Sequence, residues 1–255
     1  MNPEQPGTLY LVPAPLDFGC ESPVSLDAVM PSHTLEIAAT LKTWVCENAK
    51  STRAYLKRIG ELYPLCAPLQ AMQMQELPHA VHKKGDHHGQ FDAKPLLQAA
   101  LAGENLGLVS EAGMPAIADP GASVVRAAHD LGIPVTPLVG PVSLVLALAA
   151  SGLNGQDFAF VGYLPNTPAQ RVQRIREIEA LALQSGQTQL FIETPYRNVV
   201  LLQTLLHTLQ NNTRLATASG LTLPQACCHS GLVKSWKHKP WTLDNTIPTV
   251  FAIGR

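Results

Sequence analysis

The sequence predicts an α/β protein built as two successive α/β domains. Three observations carry that prediction. Short apolar runs alternate with amphipathic segments, Gly or Pro closes most of those segments, and the alternation pauses at the small, polar stretch Ser151–Asp157 (SGLNGQD) before restarting. The domains are therefore expected over residues 1–153 and 154–255. With 255 residues, 46% hydrophobic and 15% charged, the chain can bury two cores, and its low charge with ordinary apolar content excludes intrinsic disorder. The longest apolar run, Leu144 to Ala150, is far short of the ~20 residues that a membrane-spanning helix needs.

In chain order, Thr8 to Val12 is a short apolar run ended by Pro13, the pattern of a buried strand and turn. Trp44 to Glu47 suits a second strand. Ser51 to Ile59 suits a helix: Ser51 or Thr52 can cap it, Tyr55, Leu56 and Ile59 share a face, and Gly60 can stop it. Residues 60–92 are rich in Pro, Gln and His and carry no clear period. Beyond them the spacing predicts a helix over Pro95–Ala102 closed by Gly103 and a strand over Leu106–Val109. A helix over Gly121–Leu131, a strand over Ile133–Val139 and a helix over Val142–Ala150 closed by Gly152 follow. After the pause come a strand (Phe158–Val161), a helix (Ala169–Leu183), a strand (Gln189–Ile192), a helix (Asn198–Leu209) and a closing strand (Thr249–Ile253).

The opening MNPEQPGTLYLVPAPLD has no basic segment ahead of an apolar one, so no secretory signal is expected. The cysteines (Cys20, Cys46, Cys66, Cys227, Cys228) make no C-x-x-C pair, which reads as reduced thiols in a cytoplasmic protein. The net charge of −1 gives no overall electrostatic pull toward nucleic acid.

Two loops point to chemistry. Leu108-Val-Ser-Glu-Ala-Gly-Met-Pro-Ala-Ile-Ala-Asp-Pro-Gly121 lies between a strand and a helix, where ligands of open α/β sheets bind. Gly113 and Gly121 permit close backbone approach, and Pro115 and Pro120 stiffen the loop. It is neither G-x-G-x-x-G nor a Walker A sequence, which argues against a dinucleotide or P-loop site. Pro137-Leu-Val-Gly-Pro-Val-Ser-Leu144 again joins a strand to a helix, with Ser143 among the free N–H groups of a first turn or simply capping it.

Together these segments resemble the tetrapyrrole-methylase superfamily, the class III S-adenosylmethionine-dependent methyltransferases. They are most similar to the branch containing the ribose 2′-O-methyltransferase of small-subunit ribosomal RNA. The family's S-D-A-G-T-P-x-I-S-D-P-G and P-L-P-G-P-S-A correspond to Ser110–Gly121 and Pro137–Ser143. Its L-Y-L-V-P-T-P corresponds to Leu9–Pro15, its F-x-G-F-L-P to Phe160–Pro165 and its E-S-P-H-R to Glu193–Arg197. Three departures stand out. Ser-Asp becomes Ser110-Glu111, the family's A-E-D-T-R is spread over Cys46–Arg53 with extra residues, and E-L-T-K is replaced near Ala218–Pro224.

The resemblance implies S-adenosyl-L-methionine held in a cleft between two α/β domains of a homodimer, with no metal and no membrane. It places the cofactor against Pro13, Ala112, Gly113, Met114, Ile117, Pro141, Val142, Ser143, Leu164 and Pro195. A ribose hydroxyl is a poor nucleophile, so a base or cation should stand nearby. Glu47, Lys50, Arg53 and Glu111 are the candidates for that catalytic role. Lys50, Arg53 and Lys57 share a helix face, with Arg58 alongside, and form either a phosphate-contacting patch or a solvated face. Arg171, Arg174 and Arg176 lie with Glu177 and Glu179 and suit surface pairing. Lys234, Lys237 and Lys239 interleave with Trp236 and Trp241, as an RNA contact or as a loop with buried indoles. His79, His82, His87 and His88 suit a polar substrate-side loop better than a metal site. Three functions stay open: methylation of rRNA, methylation of a small molecule such as a tetrapyrrole, and a cofactor-binding module without catalysis.

Overall fold

The computed structural model describes residues 5–17, 19–20, 23–78, 80–81, 91–239 and 241–255. It divides into two compact units, Met1–Pro141 and Val142–Arg255.

The first unit holds an all-parallel sheet of β1 (Leu9–Leu11), β2 (Thr43–Cys46), β3 (Gln73–Glu76), β4 (Leu106–Val109) and β5 (Val135–Pro137), in the order β3-β2-β4-β1-β5. Around it run α1 (Leu26–Val29), α2 (Ser32–Thr40), α3 (Ala49–Gly60), α4 (Gln98–Leu101) and α5 (Ala122–Asp130). Side chains of a strand alternate between the two faces of its sheet. Trp44 and Cys46 accordingly join Leu35, Ala38, Leu56 and Ile59 on one face. Val45 joins Leu97, Ala100, Val124 and Ala128 on the other. Gly107 is required beside Trp44, because a Cβ there would lie 2.5 Å from the indole.

The second unit holds β6 (Phe158–Tyr163), β7 (Thr188–Ile192), β8 (Arg214–Ser219), β9 (Cys227–Leu232) and β10 (Thr249–Gly254), in the order β6-β7-β10-β8-β9. Only the β6–β7 pair is parallel. Helices α7 (Pro168–Ser185), α8 (Asn198–Thr208) and α9 (Val233–His238) cover one face through Ile175, Leu201, Leu205 and Trp236. Helix α6 (Ser143–Ser151) covers the other through Leu144, Ala147 and Leu148, which meet Leu190, Ala216 and Ala252.

The division thus falls before α6, whereas the sequence suggests it after that helix. The apolar side chains of α6 find their core in the second sheet. Ser151–Asp157 belongs to that unit too: Asn154 donates to Gly186 O at 3.1 Å and accepts from the Thr188 hydroxyl at 2.9 Å. Other differences have local causes. Helix α3 begins two residues earlier than expected because Asn48 caps it, its Oδ1 accepting the N–H groups of Lys50 and Ser51 at 2.9 and 3.1 Å. Strand β3 (QMQE) is a half-exposed edge strand and has no apolar alternation to reveal it. No helix among the described residues is long and apolar enough to cross a membrane.

Candidate functional site

The carboxyl ends of β1, β2, β4 and β5 open into loops that gather most of the residues singled out in the first unit. The connection Ser110–Gly121 carries two of the three non-glycine residues that take a positive φ among the described residues. Gly113 (φ 71°) and Gly121 (φ 137°) take conformations suited to glycine, but Ala116 (φ 65°) and Ala118 (φ 64°) do so with a Cβ present. Left-handed non-glycine residues cost on the order of 1–3 kcal/mol each, and such strain concentrates at functional sites.

Three loops are fastened to one another. Ala14 and Gly113 exchange both backbone hydrogen bonds at 2.9 Å, stitching the β1 loop to the β4 loop. A Cβ on Gly113 would sit 3.3 Å from Leu16 and 3.6 Å from Pro141 O. A Cβ on Gly140 would sit 2.3 Å from the Pro13 ring, so the β5 loop passes directly under Pro13. Helices support the loops from behind: the Tyr55 hydroxyl donates to Pro13 O at 2.9 Å, and the Thr34 hydroxyl donates to Val139 O at 2.7 Å. The site is assembled largely from backbone, as the Gly-, Ala- and Pro-rich sequence requires. The N–H groups of Ala112 and Met114, on either side of the stitched Gly113, have no hydrogen-bond partner among the described residues.

Charge gathers at the same strand ends. Glu47, at the end of β2, accepts the N–H of Glu111 at 3.2 Å, and the Ser51 hydroxyl reaches Glu111 at 3.4 Å. Asp119 completes the group. Its burial, reinforced by the negative charges of Glu47 and Glu111, pushes its carboxyl from 3.8 up to about 7. Asp119 stands inside the D-P-G of the sequence motif, but nothing in its spacing marks it for chemistry; only the fold shows which carboxylates face it.

Lys50, Arg53 and Lys57 are exposed along α3. The Arg53 guanidinium is close enough to lower the pKa of the Cys46 thiol, which burial nonetheless lifts to about 11. Arg58 is not part of that open patch. Its Nη1 and Nη2 fork onto Asp17 at 3.2 and 2.9 Å, and it also donates to Val24 O.

The second unit holds Val142, Ser143, Leu164 and Pro195. Ser143 is half-buried in the first turn of α6 and does not cap it. Leu164 is buried after β6, and Pro195 opens a 3-10 turn, Pro195–Arg197. Glu193 and Arg197 form an ion pair through Glu193 Oε1, while Glu193 Oε2 is buried with no hydrogen-bond partner among the described residues. Glu193 Oε1 accepts from Arg197 Nη2 at 2.7 Å and from Thr194 N at 2.8 Å, and Arg197 also donates to Asn166. Arg171 corrects the expectation of a surface pair. It is buried and donates to the carbonyls of Pro165 and Asn166, both at 2.9 Å, holding the loop after β6. Arg174 and Glu177 do pair on the surface at 3.3 Å. Trp236 is a buried indole donating to Leu215 O, and His229 stacks on Trp241, so this stretch is packed into the fold. His79, His82, His87 and His88 lie outside the described residues. Among the described residues, no group of three His, Cys, Asp or Glu side chains is placed to hold a metal ion.

The fold, a parallel sheet followed by a mixed sheet, is shared with solved methyltransferases. Uroporphyrin-III C-methyltransferase of Thermus thermophilus superposes with a TM-score of 0.53 at 18% identity, over 97% of this chain and 94% of that one. The methyltransferase CobJ gives 0.54 at 17% identity, over 98% and 94%. No family model matches. Ribosomal RNA small subunit methyltransferase I of Escherichia coli O157:H7 is 30% identical over 227 residues, 89% of this chain and 70% of that protein. Its counterpart in Xylella fastidiosa is 34% identical over 194 residues, 75% of this chain and 60% of that protein. The chain therefore belongs to the ribosomal RNA small subunit methyltransferase I family. It spans less than two thirds of the length of some of these relatives, including 60% of the Xylella protein.

Proposed function

We propose that this protein transfers a methyl group from S-adenosyl-L-methionine to small-subunit ribosomal RNA, at a ribose hydroxyl or a related position. The observation that carries this reading is the strand-end site itself. It is a strained, glycine-containing backbone cradle with two N–H groups that have no partner among the described residues, beside three carboxylates. The cofactor fits such a site: its carboxylate and adenine suit backbone donors and acceptors, and its sulfonium and ammonium charges suit an acidic surround. Pro13, Ala112, Gly113, Met114, Ile117 and Pro141 would hold it in the first unit. The family resemblance adds Val142, Ser143, Leu164 and Pro195 of the second.

When bound, the cofactor supplies an electrophilic methyl on a sulfonium. The protein must align a nucleophile with that methyl and exclude water. Asp119 takes up the proton, since a carboxyl that titrates near neutrality is a suitable base at physiological pH. Glu47 and Glu111 tune it and hold the loop ends together. Lys50, Arg53 and Lys57 neutralise substrate phosphates. The family resemblance also supports a homodimer, and free cysteines at Cys20, Cys46, Cys66, Cys227 and Cys228 suit a reducing cytoplasm.

A small-molecule substrate is the second reading, favoured by the net charge of −1. Methyl transfer from labelled S-adenosylmethionine into small-subunit rRNA, run beside a tetrapyrrole acceptor, separates the two. Label in RNA supports the first reading, label in the tetrapyrrole supports the second, and label in neither with bound cofactor supports a module without catalysis.

A further inference from the structure

Helix α3 joins two chemistries. Lys50, Arg53 and Lys57, at i, i+3 and i+7, are exposed along one side. Thr52, Tyr55, Leu56 and Ile59 are buried on the other. The buried side does more than pack. The Tyr55 hydroxyl donates to Pro13 O at 2.9 Å in a buried setting, and burial moves the phenol well above its ordinary range, so it remains a donor. One turn on, Arg58 forks onto Asp17, whose Oδ2 also accepts Val24 N at 2.9 Å. Asp17 is itself buried. Both ends of the loop from Pro13 to Asp17 are thus tied to one helix. Between them lies Ala14, stitched to Gly113, and Pro13 rests on Gly140.

We propose that Tyr55 and Arg58 are positioning residues: from the buried side of α3 they fix the β1 loop, and so set the cofactor seat in register with the substrate-facing cations on the same helix. The inference rests on the methyltransferase reading, with α3 serving cofactor on one side and anionic substrate on the other. A merely structural role for the two residues would change stability without this division of labour.

The test uses the full chain as wild type, Tyr55→Phe, Arg58→Lys and the outer-face double variant Lys50→Ala/Arg53→Ala. Calorimetry with S-adenosylhomocysteine, thermal melting and methyl transfer into small-subunit rRNA are measured on each. Tyr55→Phe strands a buried carbonyl, and should weaken the cofactor analogue roughly tenfold while leaving KM for RNA unchanged. Arg58→Lys keeps the charge but loses the fork, and should weaken it roughly threefold with KM for RNA again unchanged. The outer-face variant should raise KM for RNA and bind the analogue as wild type does. If Tyr55→Phe and Arg58→Lys melt lower yet bind the analogue normally, or raise KM for RNA as the outer-face variant does, the positioning role is wrong while the methyltransferase reading stands. If wild type binds no analogue, both fall. Should Tyr55→Phe fail to fold, Arg58→Lys decides by the same criteria.

Discussion

Two strand-to-helix connections, Ser110–Gly121 in the first unit and Glu193–Arg197 in the second, resemble motifs of the same family, yet they are physically opposite. The first holds two alanines in left-handed backbone, leaves the amides of Ala112 and Met114 without partners among the described residues and sets Asp119 beside two like charges. The second pairs its charges: the buried Glu193 accepts from Arg197 and a backbone amide through Oε1, and Arg197 donates to Asn166, while Glu193 Oε2 is buried with no hydrogen-bond partner among the described residues. Backbone tension of the first kind is retained where a ligand can relieve it, whereas charge pairing of the second kind makes a support. The difference assigns reactive groups to the first connection and scaffolding to the second.

The strongest way to break this contrast lies in the charge-paired connection. Glu193→Ala leaves Arg197 without its buried partner and should cost about 3–5 kcal/mol of stability, whereas Glu193→Gln, which can still accept a hydrogen bond, should cost less. Denaturant melts of the two variants check this, and equal losses would mean that the ion pair is not what closes the turn. Gly140→Val should come next. Its new side chain overlaps the Pro13 ring, with a cost of about 1–3 kcal/mol for the displaced loop and loss of cofactor binding in protein that still folds. Retained binding by calorimetry would separate Pro13 from the cofactor seat. Arg53→Ala removes a charge-assisted contact to substrate. It should weaken RNA binding or turnover by about 1.5–3 kcal/mol, roughly ten- to a hundredfold, at unchanged cofactor affinity. Equal loss of both would move Arg53 into the cofactor site.

The smallest effect is a matter of pH. Asp119 is raised from 3.8 to about 7 in the folded protein, so between those values the native form holds its proton more tightly than the unfolded chain does. Its contribution to stability therefore falls as pH rises through that window and is constant above it. Asp119→Asn should gain on wild type in melting temperature between pH 4 and pH 8 (roughly the two ends of the titration). In turnover, the alkaline rise of the wild-type profile should lie near 7, and Glu47→Gln should shift it to lower pH by removing a neighbouring charge. A rise that stays in place would show that Glu47 does not act on the base.

The two-sheet architecture was legible in the sequence because most of its strands are short apolar runs between Gly- and Pro-marked turns. Leu106–Val109 is observed with the expected bounds. Three strands were not legible: the edge strands Gln73–Glu76 and Cys227–Leu232 are half-exposed and carry polar residues on both sides, and the inner strand Arg214–Ser219 mixes small, polar and apolar residues, so no apolar run marks them. Helix α6 was found but its allegiance was not, since a helix apolar on most sides does not say which sheet will cover it. Within the site, the glycine- and proline-bearing loops were readable as backbone chemistry. Asp119, Tyr55 and Arg58 were not, because each takes its meaning from residues distant in sequence: Glu47 for Asp119, Pro13 for Tyr55 and Asp17 for Arg58.

The central claim is that the loops around Gly113 seat the cofactor, and titrating S-adenosylhomocysteine into wild type and Gly113→Val tests it most directly. Gly113 adopts φ 71° with Leu16 and Pro141 O close to where a Cβ would go, so valine strains the loop and fills the cradle. The account predicts saturable binding to wild type and none to a Gly113→Val variant that still melts cooperatively. Equal binding by both proteins, or none by a folded wild type, would contradict it.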